Sequence, residues 1–271
     1  LSIPLIGRNT VSFAKNVLKI VVDVDENELE KKTIKPDFPI NFSADEFINQ
    51  MINYKTSNIK KFEKWIKICK ELKNQYSFSK EEYSNKNKLL NPYLFTNKFS
   101  KYIPNFSTIV MDGGPIMNYV MQGFQIKSNQ RLITSSGLDN EGFSFPASLG
   151  MVSSKENRLI ICLCEEKSFL NSINDFSNIN KYNIPIKIIC YSGIENVTLR
   201  GTQNDFFGKR FIGTYFDKYY KSFKNKILKN IGIKTIIIKN YKDILKILKK
   251  IFNNNQACFV LVKIDPNHHI K

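Results

Sequence analysis

Apolar residues along this chain cluster in two ways. One is a set of short unbroken runs, at 18–24 (LKIVVDV), 108–111, 131–134, 159–164 (LIICLC), 184–190 (IPIKIIC), 235–238 and 259–264. Runs of this length, rich in Ile and Val and bounded by polar residues, predict strands, of which 18–24, 159–164 and 184–190 read as buried ones. The other is helical spacing. It links Phe47, Ile48 and Met51 behind the start signal Ser43-Ala44-Asp45-Glu46, then Phe169, Ile173, Phe176 and Ile179. It recurs in 241–252, where Ile244, Leu245, Ile247, Leu248, Ile251 and Phe252 turn inward and lysines outward. Pro92 opens a further helix through Phe99, and 145–152 (FPASLGMV) reads as a helix of small residues suited to close packing. Strand and helix alternate from residue 91 to the end. That alternation predicts an α/β fold, a doubly wound and mostly parallel sheet with helices on both faces.

The stretch 160–193 is the centre of the pattern. It reads as strand, tight turn at Glu165-Glu166-Lys167, helix capped by Ser168, and second strand. Its first turn opens at the carboxyl edge of the sheet, where proteins of this class bind ligands.

Residues 1–55 read as the end of a domain: a buried strand with Asp25 at its carboxyl end, a loop through Pro36 and Pro39, then a helix. Residues 56–90 read as a charged helix and polar linker, with Phe62, Trp65, Ile66, Cys69 and Leu72 on one stripe and Trp65 as its packing anchor. Residues 91–271 form the second domain. The opening at Leu1 rather than Met predicts that the chain is a piece of a longer product.

Composition narrows the function classes. A formal charge of +17 raises the question of nucleic acid. Nearly all of the positive charge is lysine, however, and arginine, which reads phosphates and bases as a fork, occurs only at 8, 131, 158, 200 and 210. Specific nucleic-acid binding is therefore not expected, although lysines along 218–250 leave a purely electrostatic binding module as a reading. Five cysteines, four of them in strand-like runs, predict buried free thiols and a cytoplasmic protein. Cys162 and Cys164 point into one packed layer, as period-two geometry requires, rather than forming a metal site. No apolar stretch reaches membrane-spanning length, and His268 and His269 are expected to be solvent-exposed.

Three stretches, NQRLITSSGLDNEGFSFPASLG, KIICYSGIENVTLRGTQNDFFGKRFIG and VKIDPNHH, together with the unit at 160–193, resemble the C-terminal half of thiamine-diphosphate enzymes of the acetolactate synthase type. The likeness runs from about Asn9 to the end. It implies that 1–55 is the C-terminal remnant of the family's central Rossmann-like domain and 91–271 its thiamine-diphosphate-binding domain. It also implies the cofactors thiamine diphosphate and Mg2+. In the family the first strand of the unit ends in Gly-Asp-Gly and the second in Asn-Asn; the Asp, an Asn and a backbone carbonyl hold the metal. Laid on this chain, the metal positions fall on Glu166, Gly193 and Glu195. The cofactor positions fall on Gly114, Gly137, Asp139, Glu141, Lys167 and Ser168. Most of these are substituted. Glu141 stands where an apolar residue buttresses the cofactor, Gly193 lacks the amide oxygen, Lys167 replaces a glycine, and Gly114 is followed by Pro115, which has no N–H to donate. The glutamate that protonates the cofactor ring belongs to the family's N-terminal domain, and the family's site lies between two subunits. The resemblance thus implies an oligomer with a chain carrying that domain and no activity of this chain alone. The alternative is a non-catalytic assembly or regulatory subunit that keeps only the fold.

Overall fold

The computed structural model describes residues 6–7, 9–54, 62–76, 89–154, 157–194, 196–214, 226, 230 and 232–266. Glu195, His268, His269 and part of the lysine-rich 218–250 stretch lie outside the described residues. The chain divides into two compact units, 1–75 and 76–271.

The smaller unit holds two parallel strands, β1 (Ile20–Asp23) and β2 (Phe38–Asn41), paired from Ile20↔Phe38 to Asp23↔Asn41. β2 was expected to be a proline loop. Pro39 is tolerated within it because a two-stranded ribbon leaves one side of each strand free of ladder bonds. Asp25 ends the turn after β1 by accepting the amide of Asn27 at 2.9 Å, which caps the short helix Glu26–Leu29. The helix expected behind Ser43 runs Ala44–Ile52. Neither strand contains a buried residue, so the buried strand expected at 18–24 is corrected to a shorter, partly exposed one. Trp65, on the helix Glu63–Gln75, is 60% exposed and anchors no core.

The larger unit is built on six strands: β3 (Ser107–Met111), β4 (Arg131–Thr134), β5 (Leu159–Glu165), β6 (Lys187–Ser192), β7 (Lys234–Ile238) and β8 (Cys258–Lys263). They lie in the order β4-β3-β5-β6-β8-β7, and every pairing is parallel. Side chains alternate across the sheet and serve two separate cores. Ile161, Leu163, Ile189, Tyr191, Val260 and Val262 pack with Phe95 and Phe99 of the helix Pro92–Tyr102, Tyr119 of Pro115–Gly123 and Leu248 of Tyr241–Phe252. On the other face Cys162, Cys164, Cys190 and Phe259 pack with Phe145 of Ser144–Val152, Phe169 of Glu166–Asn171 and Ile179 of Ser177–Lys181. All five cysteines are free thiols, with Cys69 exposed and the other four buried.

Three local expectations are corrected. The turn at 165–167 does not exist: β5 runs through Glu165 and the next helix starts at Glu166, so Ser168 lies inside that helix and caps nothing. The helix expected through Ile179 is broken into two α segments and a 3-10 turn at Ile173–Phe176. The strand expected at 184–190 begins later, at Lys187. Lys187 is itself buried, and its ammonium donates to the carbonyls of Asn254 and Gln256, just beyond the helix Tyr241–Phe252. Satisfying those carbonyls is what makes a charged residue tolerable in a central strand.

Candidate functional site

Parallel strands bring all their carboxyl ends to one edge. From β3 the chain moves outward to β4, and from β5 it moves the opposite way to β6, so the order reverses between β3 and β5. A crevice opens outside the strand ends at such a reversal. The residues that reach it are Asp112 to Gly114 after β3, the loop at 135–142 after β4, Glu165 to Ser168 at the end of β5, Ser192 and Gly193 at the end of β6, and Lys263 to Asp265 at the end of β8.

At the β3 end, Asp112 is completely buried. Its Oδ1 accepts the amide of Ser144 at 2.8 Å, at the start of the helix Ser144–Val152. Burial pushes its pKa from 3.8 up to about 6, against the opposing pull of the Ser144 amide. The loop after β4 closes directly over the next two residues. A Cβ on Gly113 would lie 2.4 Å from Oδ1 of Asp139, so only glycine fits there. The Gly113 amide donates to the Asn140 carbonyl at 3.3 Å, and the Gly114 amide to Oδ1 of Asp139 at 2.6 Å. Asp139 holds this position from a left-handed conformation, φ 46° and ψ 38°. The helix Pro115–Gly123 begins immediately after Gly114, so a carboxylate already sits on the last free amide before its first turn.

At the β5 end, Glu165 and Glu166 are both buried. Oε1 of Glu166 lies 3.9 Å from the ammonium of Lys263, which also donates to Oγ of Ser192 at 2.8 Å. Ser192 and Lys263 are direct neighbours in the β6–β8 register, which explains why the two side chains meet above the edge. Gly193 follows at φ 100°, and a Cβ there would lie 2.8 Å from the Ile264 carbonyl oxygen. Lys167 pairs with Glu141 at 2.7 Å, both partly exposed.

Of the residues singled out from sequence, Gly114 and Asp139 are therefore in direct contact, as are Lys167 and Glu141. Ser168 is buried, one turn into the helix that follows β5. Gly137 stands apart, exposed on the 3-10 turn Ser136–Leu138 with nothing near enough to touch an added Cβ. Sequence reasoning missed Asp112 as a site residue, together with Ser144, Ser192 and Lys263. A signal existed for Asp112: a carboxylate ending a buried run, directly before Gly-Gly. None existed for Lys263, which is one lysine among many until the register sets it against Ser192.

Residues 112–262 match the family described as "Thiamine pyrophosphate enzyme, C-terminal TPP binding domain". The chain belongs to this family. Among similar curated proteins, the acetolactate synthase large subunit of Lactococcus lactis subsp. lactis (strain IL1403) is 25% identical, across 97% of this chain and 44% of that protein. The acetolactate synthase large subunit of Buchnera aphidicola subsp. Schlechtendalia chinensis is 27% identical, across 97% of this chain and 46% of that protein. This chain thus spans less than half the length of these relatives. The thiamine diphosphate-dependent 4-hydroxybenzoylformate decarboxylase of Rhodococcus jostii RHA1 shares the fold, with a TM-score of 0.57 and 15% identity over 68% of this chain and 34% of that one.

Among the described residues, the donors at the expected metal positions do not fit a divalent cation. Mg2+ needs near-octahedral oxygen ligands. The Glu166 carboxylate already faces an ammonium, and Gly193 offers no side chain, nor has its backbone room for an added Cβ. Among the described residues, no group of three or more His, Cys, Asp or Glu is arranged to hold a metal ion. A diphosphate fits no better at the β3 end, where Pro115 has no N–H and the amides of Gly113 and Gly114 are spent on the 139–140 loop.

Proposed function

We propose that this chain is the cofactor-diphosphate-side domain of an acetolactate synthase-like carboligase or decarboxylase, with a metal and diphosphate seat so altered that the chain alone is inactive. The observation that carries this reading is the crowding at Gly193. A positive φ and a carbonyl 2.8 Å from its Cβ position bar the amide side chain that the resemblance places there. In this reading, catalysis requires assembly with a chain that carries the N-terminal domain, and the protein acts in the cytoplasm, in keeping with its five free thiols. A second reading, a non-catalytic assembly or regulatory subunit, is favoured by the Asp139–Gly114 contact, which satisfies a phosphate-type seat from within the chain.

The test is calorimetry with thiamine diphosphate and Mg2+ on the chain, repeated with a partner chain that supplies an N-terminal cofactor domain. The main reading expects no heat from the chain alone and binding with the partner. Heat from the chain alone refutes it, and no heat in either case transfers the weight to the second reading.

A further inference from the structure

We propose that the ammonium of Lys263 is the resident cation of this edge and fills the place the resemblance assigns to a divalent metal. This deepens the reading above and rests on it. The ammonium lies between the ends of the two strands that would share the metal: 3.9 Å from Oε1 of Glu166, at the end of β5, and 2.8 Å from Oγ of Ser192, at the end of β6. Glu166 is 4% exposed, so its charge stands where water screens it little and a nearby cation matters most. The Lys263 side chain is held from β8 by strand register rather than by a loop. A divalent ion bound by Glu166 would sit within a few ångströms of that ammonium, and like charges so close exclude one another.

The same substitution of protein for ligand occurs at the neighbouring strand end. The carboxylate of Asp139 lies on the Gly114 amide at the start of a helix, a place suited to a phosphate oxygen. Lys167 and Glu141 form a third internal pair beside it. Cation and anion seats are thus both filled by the chain's own side chains, so the domain holds its edge together with neither metal nor diphosphate.

The test uses Mn2+ alone, with its binding read by electron spin resonance and by thermal shift, on the full chain and on Lys263→Met, Lys263→Arg and Lys263→Met/Glu166→Gln. The wild type and Lys263→Arg are expected to show no saturable Mn2+ binding. Lys263→Met is expected to melt below wild type, because it leaves the buried Glu166 carboxylate without its cation, whereas the double variant melts above Lys263→Met. Saturable Mn2+ binding by the wild type overturns the inference, and that measurement needs no variant to fold. A Lys263→Met that melts with the wild type overturns it too, as does a double variant that melts no higher than Lys263→Met. Thiamine diphosphate binding by wild type in the presence of a chelator sinks the proposed function but leaves the fixed cation standing. A Lys263→Met that melts with the wild type, beside a wild type that binds no cofactor, does the reverse.

Discussion

Replacing Asp112 by Asn should remove a pH-dependent burden on the fold. The side chain is wholly buried, and its pKa rises from 3.8 to about 6 because burial disfavours the charged form more than the hydrogen bond from the Ser144 amide favours it. A rise of that size corresponds to roughly 3 kcal/mol between the protonation states. The folded chain therefore holds this proton more tightly than the unfolded one. Below 3.8 both states are protonated and the stability linked to Asp112 is complete. As pH climbs from 3.8 to about 6 the unfolded chain loses its proton first, and stability declines until the folded carboxyl also ionises. Asn keeps an oxygen for the Ser144 amide, 2.8 Å away in the wild type, and has no proton to lose. Urea unfolding of both proteins in a pH series cancels every other titrating group in the difference. The stability of Asp112→Asn relative to wild type is expected to grow by about 2 kcal/mol between about pH 4.5 and about pH 6.5, then level off. A difference that stays flat, or shrinks as pH rises, would refute the reasoning.

Two other expectations concern the backbone and the thiols. Gly193→Asn must hold a side chain at φ 100° against the Ile264 carbonyl, and should cost about 2–4 kcal/mol, a melting decrease of roughly 4–16 °C without any gain in metal binding; a variant that melts with the wild type would contradict the close approach. A thiol reagent at neutral pH should modify only Cys69 in the native chain and all five cysteines after unfolding, because four are buried. Contacts with Cys162 and Cys190, with burial, hold the Cys164 thiol well above its ordinary range, and burial pushes Cys258 up. A second fast-reacting thiol would contradict that packing.

The centre of the sheet was legible because β3, β5, β6 and β8 are buried on both faces. Residues 159–164 have no polar side to obscure their period, and they form β5 almost as read. The helix Pro115–Gly123 escaped notice because Gly-Gly-Pro reads as a loop, although proline is well suited to a first helical turn. Glu165-Glu166-Lys167 looked like a polar turn. Two consecutive glutamates are buried there, and Glu166 faces a lysine from a strand distant in sequence, which no local pattern can reveal. Candidate positions at the edge followed from resemblance. The pairs they form depend on register and on backbone crowding, as at Ser192 and Gly193, and these exist only once the chain has folded.

The larger unit also closes on itself. Leu90 bridges to Ile264, with the Leu90 amide donating to the Lys263 carbonyl at 3.2 Å and the Asp265 amide to the Leu90 carbonyl at 2.9 Å. Residues 90 and 265 are therefore adjacent, so a short splice between them, with new ends cut at an exposed loop, would give a circularly permuted unit with an unchanged sheet. The order in which its segments are synthesised would then be open to choice.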